Sequence, residues 1–318
     1  MKIVILDAYA TNPGDFSWDN LREFGELTIY DRSNSDQLIE RIGDAEIVII
    51  SKVQLSRAIL EACPKLKYIG LLSTGYNVVD ITAAKDLGIV VSNIPTYGTD
   101  SVAQFTMGLL LELCHQIGYH SETVKQGEWQ NCIDWCYWKT PQYELLNKTL
   151  GIIGLGRIGQ RFAEMASAFG MRLIAHDDFI DPKLHPTIEI VTLEELYQQS
   201  DVIALFVPLL PTTQGMINKH SIAKMKDGVL ILNSARGPLI VEEDLTQALE
   251  KGKIGGAALD VVSTEPIRAD NPLLKAPNII LTPHIAWATK EARTSLMNTV
   301  YTNLKAFSEG QPVNNVAE

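Results

Sequence analysis

Three polar residues in the second half of the chain, Arg236, Glu265 and His284, each follow a short apolar run: GVLILNSA, GGAALDVV and NIILTP respectively. Together they are the residue types that reduction of a 2-keto acid requires. Adding hydride to a keto carbon leaves its oxygen in need of a proton, and histidine is the side chain that donates one near neutrality. A nearby carboxylate such as Glu265 would favour the imidazolium form of His284. An arginine grips a carboxylate through paired donors and polarises a carbonyl oxygen. Singly, each has an ordinary structural reading: Arg236 in a surface ion pair, Glu265 solvated before Pro266, His284 bonded to loop backbone. Jointly they matter because strand carboxyl ends line the ligand crevice of an open parallel sheet.

A second constellation lies upstream. In GIIGLGRIG, Gly154, Gly156 and Gly159 form G-x-G-x-x-G directly after a strand-like run and at the start of a helix-like one, the context in which this pattern holds a dinucleotide pyrophosphate. The next run, MRLIAH, ends at Asp177, about 20 residues on, where a carboxylate binds the adenosine ribose hydroxyls. Asp178 follows, with no adjacent Lys or Arg. Paired carboxylates repel a 2′-phosphate, so NAD is the expected cofactor rather than NADP.

These residues must be positioned by two sets of alternating elements. From Lys2, KIVILD, ELTIYD, EIVIIS and LKYIGL alternate with amphipathic stretches, and a second series runs through KTLGII, MRLIAH, DVIALFV, GVLILNS, GGAALDVV and NIILTP. Each series predicts βαβ units and a doubly wound parallel sheet, an α/β fold. A helix is expected over about 101–119, and a last one over 289–307, before Gly310 and Pro312. Residues 121–148 break the rhythm and hold Trp129, Trp135 and Trp138 in a polar setting. They read as a loop packed on its own domain or as an arm reaching a second subunit.

Composition narrows the class. The 318 residues suit two domains, and 46% hydrophobic with 20% charged residues is ordinary for a folded chain. A formal net charge of -11 disfavours nucleic acid. No signal-peptide core or membrane span is expected, and Cys63, Cys114, Cys132 and Cys136 lack the paired spacing of a metal site or disulfide framework. A cytoplasmic location is expected.

The chain resembles the D-isomer-specific 2-hydroxyacid dehydrogenase family, and within it the glycerate dehydrogenases or hydroxypyruvate reductases. The markers are STGYNVVD (73–80), SVAQFT (101–106), GIIGLGRIG, NSARGPLIVEEDL (233–245), GAALDVVSTEP (256–266) and LTPHIAWAT (281–289). The resemblance implies a Rossmann NAD-binding domain, 99–287 with the aromatic arm at about 121–148, inserted in a discontinuous flavodoxin-like substrate domain, 1–98 and 288–318. It implies that Arg236 binds substrate, that Glu265 pairs with His284 and that His284 is the acid–base residue. It also implies cofactor contacts from Thr106, Arg157, Ile158, Asp177, Val207, Pro208, Ser234, Ala235, Arg236, Asp260 and His284. Backbone N–H groups of Thr74 and Gly75 would meet the substrate carboxylate. A homodimer through the nucleotide domains is implied as well. Many relatives carry a His-Cys-Pro-Leu-Thr-like stretch where this chain has Phe206-Val207-Pro208-Leu209-Leu210, which removes polar side chains from that part of the cofactor site.

The expected reaction is NAD-dependent interconversion of D-glycerate and hydroxypyruvate, with glyoxylate also reduced. Lys52 is a candidate substrate contact, and Trp138 a candidate wall limiting the pocket to three-carbon acids, with simple interface packing as its alternative. Other readings are a phosphoglycerate or D-lactate type of dehydrogenase, or an NAD-sensing corepressor-like binding protein. Formate dehydrogenases of this architecture are expected to place Gln where Glu265 stands. A chain ending at Glu318 is not expected to carry the regulatory extension of larger phosphoglycerate dehydrogenases.

Overall fold

The computed structural model describes residues 1–180 and 186–317, in two compact units: Met1–Gly98 with Ala288–Glu318, and Thr99–Trp287. The first unit is built on a five-stranded sheet of β1 (Lys2–Ile5), β2 (Glu26–Ile29), β3 (Ile47–Ile50), β4 (Tyr68–Leu71) and β5 (Val90–Ser92). The order is β2-β1-β3-β4-β5 and every pairing is parallel. β3 and β4 are buried along their whole length, which is why their sequences read as continuous apolar runs rather than alternating ones. Val48, Ile50, Ile69, Leu71 and Val91 form the centre of one core, with Leu38, Leu60 and Ala83 from the helical segments over it. On the other face, Phe307 of the closing helix Lys290–Ser308 stacks on Tyr68 with ring centroids 4.6 Å apart.

Strand order reverses between β1 and β3, and Asp7 fills the gap at their carboxyl ends. Its buried carboxylate accepts the amides of Ser51, Lys52 and Val53 at 2.7, 2.6 and 3.1 Å. Beside it, at the end of β4, Thr74 Oγ1 donates to the Ile94 carbonyl and Asn93 Nδ2 donates to the Thr74 carbonyl. Lys52, Thr74 and Gly75 therefore share the carboxyl edge of this sheet.

The second unit holds a seven-stranded parallel sheet: β6 (Thr149–Ile153), β7 (Arg172–His176), β8 (Glu189–Ile190), β9 (Val202–Leu205), β10 (Val229–Asn233), β11 (Ile254–Leu259) and β12 (Ile279–Leu281). Its order is β12-β11-β10-β9-β6-β7-β8, so the switch point falls between β6 and β9, where dinucleotides bind in doubly wound sheets. Separate apolar cores cover its two faces, one centred on Leu150, Ile152, Phe162 and Ala204, the other on Ile153, Ile203, Ile231 and Leu259.

The helix expected over 101–119 is two helices. Thr99–His115 stops where Gln116 takes a left-handed conformation (φ 45°), and Ile117–Lys125 follows. Helical structure thus enters the segment read as irregular from 121. Beyond it the arm is irregular but tied to its own unit: His120 Nε2 accepts the Lys139 amide at 3.0 Å, Thr123 Oγ1 and Tyr137 Oη are 2.7 Å apart, and Lys139 pairs with Glu128. Its apolar side chains still face outward, with Ile133, Trp135 and Trp138 among the most exposed. Among the described residues no helix is long and apolar enough to cross a membrane, and no cluster of His, Cys, Asp and Glu is arranged to hold a metal ion.

Candidate active site

Each glycine of the turn after β6 answers a different steric demand. Gly154 has φ +95°, and a Cβ there would lie 2.8 Å from the backbone of Phe206 and Val207 beyond β9. A Cβ on Gly159 would strike the Gly154 carbonyl oxygen at 2.2 Å, so the helix Arg157–Ala168 could not pack so close to its strand. Around Gly156, the N-cap of that helix, the space is open to at least 4 Å. An open approach to a helix N-terminus suits a pyrophosphate, which accepts backbone N–H bonds and is favoured by the helix dipole.

Asp177 follows β7 and faces this turn: Oδ2 accepts the Leu155 amide at 2.8 Å, and Oδ1 accepts the Phe179 amide at 2.9 Å. A carboxylate has about four acceptor sites, so capacity remains for ribose hydroxyls. The open approach at Gly156, the helix N-terminus and this carboxylate fit a dinucleotide. Val207 is half-buried and Pro208 exposed. Thr106 is fully buried, and its hydroxyl bonds to the Val102 carbonyl and to Ser234 Oγ at 2.9 Å. The Thr106 hydroxyl thus holds Ser234 from a fully buried position.

Arg236 is set by the turn after β10. Buried Asn233 accepts the Ala235 amide through Oδ1 and donates through Nδ2 to the Arg236 carbonyl, which fixes the chain across the turn. Gly237 comes next, and a Cβ on it would lie 2.0 Å from the carbonyl of Val262. The Arg236 segment and the segment leading to Glu265 are thus in backbone contact. Arg236 itself is half-buried, with Nη1 donating to the Ala235 carbonyl at 2.7 Å.

Glu265 Oε2 and His284 Nδ1 are 2.7 Å apart, with both side chains only partly exposed. A carboxylate accepts at this contact, so Nδ1 carries the proton and Nε2 is the ring nitrogen left for chemistry. The loop around His284 is strongly determined. His284 has φ +55°, its amide donates to the Asp260 carbonyl, and its own carbonyl accepts Trp287 Nε1 at 2.8 Å. A left-handed backbone at a non-glycine residue costs about 1–2 kcal/mol and persists where neighbours enforce it.

Asp260 is the main enforcer. Only 1% exposed, it accepts Thr282 Oγ1, the Ile285 amide and the Ala286 amide at 2.6, 2.9 and 2.8 Å. Its side chain is committed to the 282–286 loop, so any influence on a cofactor acts through that loop. Asn233 and Trp287 were not singled out from sequence, although an Asn at a strand end before a turn carried a readable signal.

Trp138 lies in the arm, 69% exposed, on a groove of about 580 Å³ that it shares with His115, His120, Val124 and Tyr137. Lys52, Thr74 and Gly75 belong to the other unit.

Comparison with known proteins agrees with this geometry. Residues 107–286 match the family described as D-isomer specific 2-hydroxyacid dehydrogenase, NAD binding domain. Over 318 residues the chain is 54% identical to a hydroxypyruvate reductase of Blautia hydrogenotrophica, covering 99% of each chain. It is 40% identical to a glycerate dehydrogenase of Methylorubrum extorquens, covering 98% of each. Among solved structures it resembles a D-lactate dehydrogenase of Aquifex aeolicus complexed with NAD and lactic acid, with a TM-score of 0.84 at 30% identity, over 98% of this chain and 96% of that one.

Proposed function

Because this chain belongs to the D-isomer specific 2-hydroxyacid dehydrogenase family, we propose that it interconverts hydroxypyruvate and D-glycerate with NAD as cofactor, and reduces glyoxylate less efficiently. The observation that carries the chemistry is the 2.7 Å contact between Glu265 and His284. It supplies a proton donor of fixed tautomer in the unit that carries the dinucleotide turn.

When bound, NADH supplies the hydride that the keto carbon takes up. In the reductive direction, Arg236 binds the substrate carboxylate and polarises the keto oxygen. His284, protonated on both nitrogens, gives its Nε2 proton to that oxygen as negative charge develops, and is left as neutral imidazole. Glu265 holds Nδ1–H throughout and so fixes the ring and its tautomer. Oxidation runs the same proton back, with neutral His284 as base. Glu265 is a carboxylate, as a reaction with a proton to donate requires.

Gly154, Gly156, Gly159, Arg157 and Ile158 would hold the pyrophosphate, Asp177 the ribose, and Val207, Pro208 and Ser234 to Arg236 the remainder of the cofactor. The Thr74 and Gly75 amides would bind the substrate carboxylate, with Lys52 as a further contact and Trp138 limiting substrate size. The exposed aromatic arm supports a homodimer, since outward Trp and Ile side chains are favoured where a partner covers them. A cytoplasmic location belongs to the same reading. The test is kcat/KM for hydroxypyruvate, glyoxylate, pyruvate and phosphohydroxypyruvate with NADH, in the parent and in Trp138→Ala. Preference for hydroxypyruvate in the parent supports the substrate, and preference for the phosphorylated acid overturns it. An unchanged profile in Trp138→Ala removes that residue from the site.

A further inference from the structure

Glu242 opens the helix Glu242–Glu250 and is only 7% exposed. Its carboxylate is the meeting point of three donors: the Ser263 amide on Oε1 at 2.7 Å, and on Oε2 the Ser263 hydroxyl at 2.7 Å and Asn271 Nδ2 at 2.9 Å. Asn271 is itself buried, and its Oδ1 accepts the Leu273 amide, so its amide cannot turn over without breaking that bond. Among the described residues, no Lys, Arg or His forms an ion pair with Glu242. A buried carboxylate without a cation is costly, and here it is stabilised by neutral donors and by its place in the first turn of a helix.

The segment it holds is the one that delivers Glu265. Ser263 stands two residues before Glu265, and the Val262 amide contacts Glu265 Oε1 at 3.4 Å. Behind Val262 sits Gly237, in backbone contact. The segment is therefore pinned from one side by steric contact with the Arg236 turn and from the other by Glu242. We infer that Glu242 is a positioning residue for the Glu265–His284 pair, an inference that rests on the reading of that pair as the acid–base centre. A neutral amide at 242 offers one acceptor oxygen where the carboxylate offers two. The Ser263 hydroxyl can turn to accept from it, but Asn271 Nδ2 is left without a partner, and the 262–265 segment shifts.

The experiment compares the parent, Glu242→Gln, Ser263→Ala and Glu265→Gln. One readout is kinetic: hydroxypyruvate reduction should lose roughly 10- to 100-fold in kcat in Glu242→Gln, as expected for a reacting group displaced by less than about 1 Å, while the KM for NADH stays at the parent value. The other is independent of turnover: the downfield proton resonance of the His284 Nδ1–H bond to Glu265, identified by its upfield displacement in Glu265→Gln, where a neutral oxygen accepts more weakly. It should weaken or vanish in Glu242→Gln and be reduced in Ser263→Ala. A Glu242→Gln protein with parental resonance and kcat, and only a lowered Tm, overturns the inference. Should Glu242→Gln fail to fold, a Ser263→Ala protein with an unaltered resonance overturns it equally. If the parent does not reduce hydroxypyruvate but the resonance responds as stated, the substrate assignment falls and the positioning role stands.

Discussion

Asp177 Oδ2 accepts the amide of Leu155 at 2.8 Å, which ties the end of β7 to the glycine turn after β6. In the proposed cofactor site the same carboxylate would recognise ribose hydroxyls and repel a 2′-phosphate. Asp177→Ala should weaken NADH binding and raise the relative use of NADPH. Dissociation constants for both cofactors, from quenching of intrinsic fluorescence, measure this. An unchanged NADH to NADPH ratio would mean that another group sets the preference.

Replacing Glu265 by Gln keeps the shape of the contact and removes its charge. A neutral amide holds Nδ1–H less strongly than a carboxylate does, because hydrogen bonds to an ionised acceptor are roughly twice as strong. The ring is then less firmly oriented, and kcat for hydroxypyruvate reduction should fall by on the order of 10-fold or more. A parental kcat in Glu265→Gln would count against the pairing.

Gly237→Ala tests the backbone contact between the Arg236 and Glu265 segments. The added Cβ would lie 2.0 Å from the Val262 carbonyl, a clash that only backbone movement relieves. The expected result is a kcat/KM lower by on the order of 100-fold, since small displacements of reacting groups carry such penalties, with NADH affinity retained. Parental kinetics would show that the two segments separate without consequence.

In the first unit, Arg293 donates to both carboxylate oxygens of Asp15 at 2.7 and 2.6 Å and lies over the Phe16 ring. The hydrogen bond from Arg293 holds the Asp15 carboxyl below its ordinary value of 3.8. A group whose value is depressed on folding stabilises the protein above its unfolded value and loses that contribution as pH falls through the folded one. Asp15→Asn should therefore lower Tm at neutral pH, modestly because the pair is partly exposed. The gap to the parent should narrow as pH falls below 3.8. A gap that is constant with pH would point to lost packing and not lost charge.

Strands with uninterrupted apolar runs and the glycine fingerprint were legible because burial on both sheet faces and steric demand act directly on residue type. β5 and β8 were not. They contain three and two residues and lie at sheet edges, too short for a run to stand out. The break at Gln116 has no Gly or Pro to announce it. Arg236, Glu265 and His284 could be picked out because each lies a few residues beyond the end of a readable strand. Of the residues that fix them, Asn233 and Trp287 bond three residues away, whereas the buried carboxylates of Glu242 and Asp260 find their partners more than 20 residues away. Spacing along the chain carries little trace of such contacts. Asp7, which joins β1 to the turn after β3 across more than 40 residues, is the same case in the other unit.

Steady-state oxidation of NADH with hydroxypyruvate, followed by absorbance in the parent, His284→Ala and Arg236→Ala, bears most directly on the catalytic assignment. The parent should turn over continuously. At saturating NADH, each variant should lose at least about 10²-fold in kcat/KM for the keto acid, the scale of general acid catalysis and of a charged substrate contact. Near-parental rates in His284→Ala would contradict the assignment of the proton donor, and a parent that binds NADH without turning over any of the keto acids would contradict the enzyme itself.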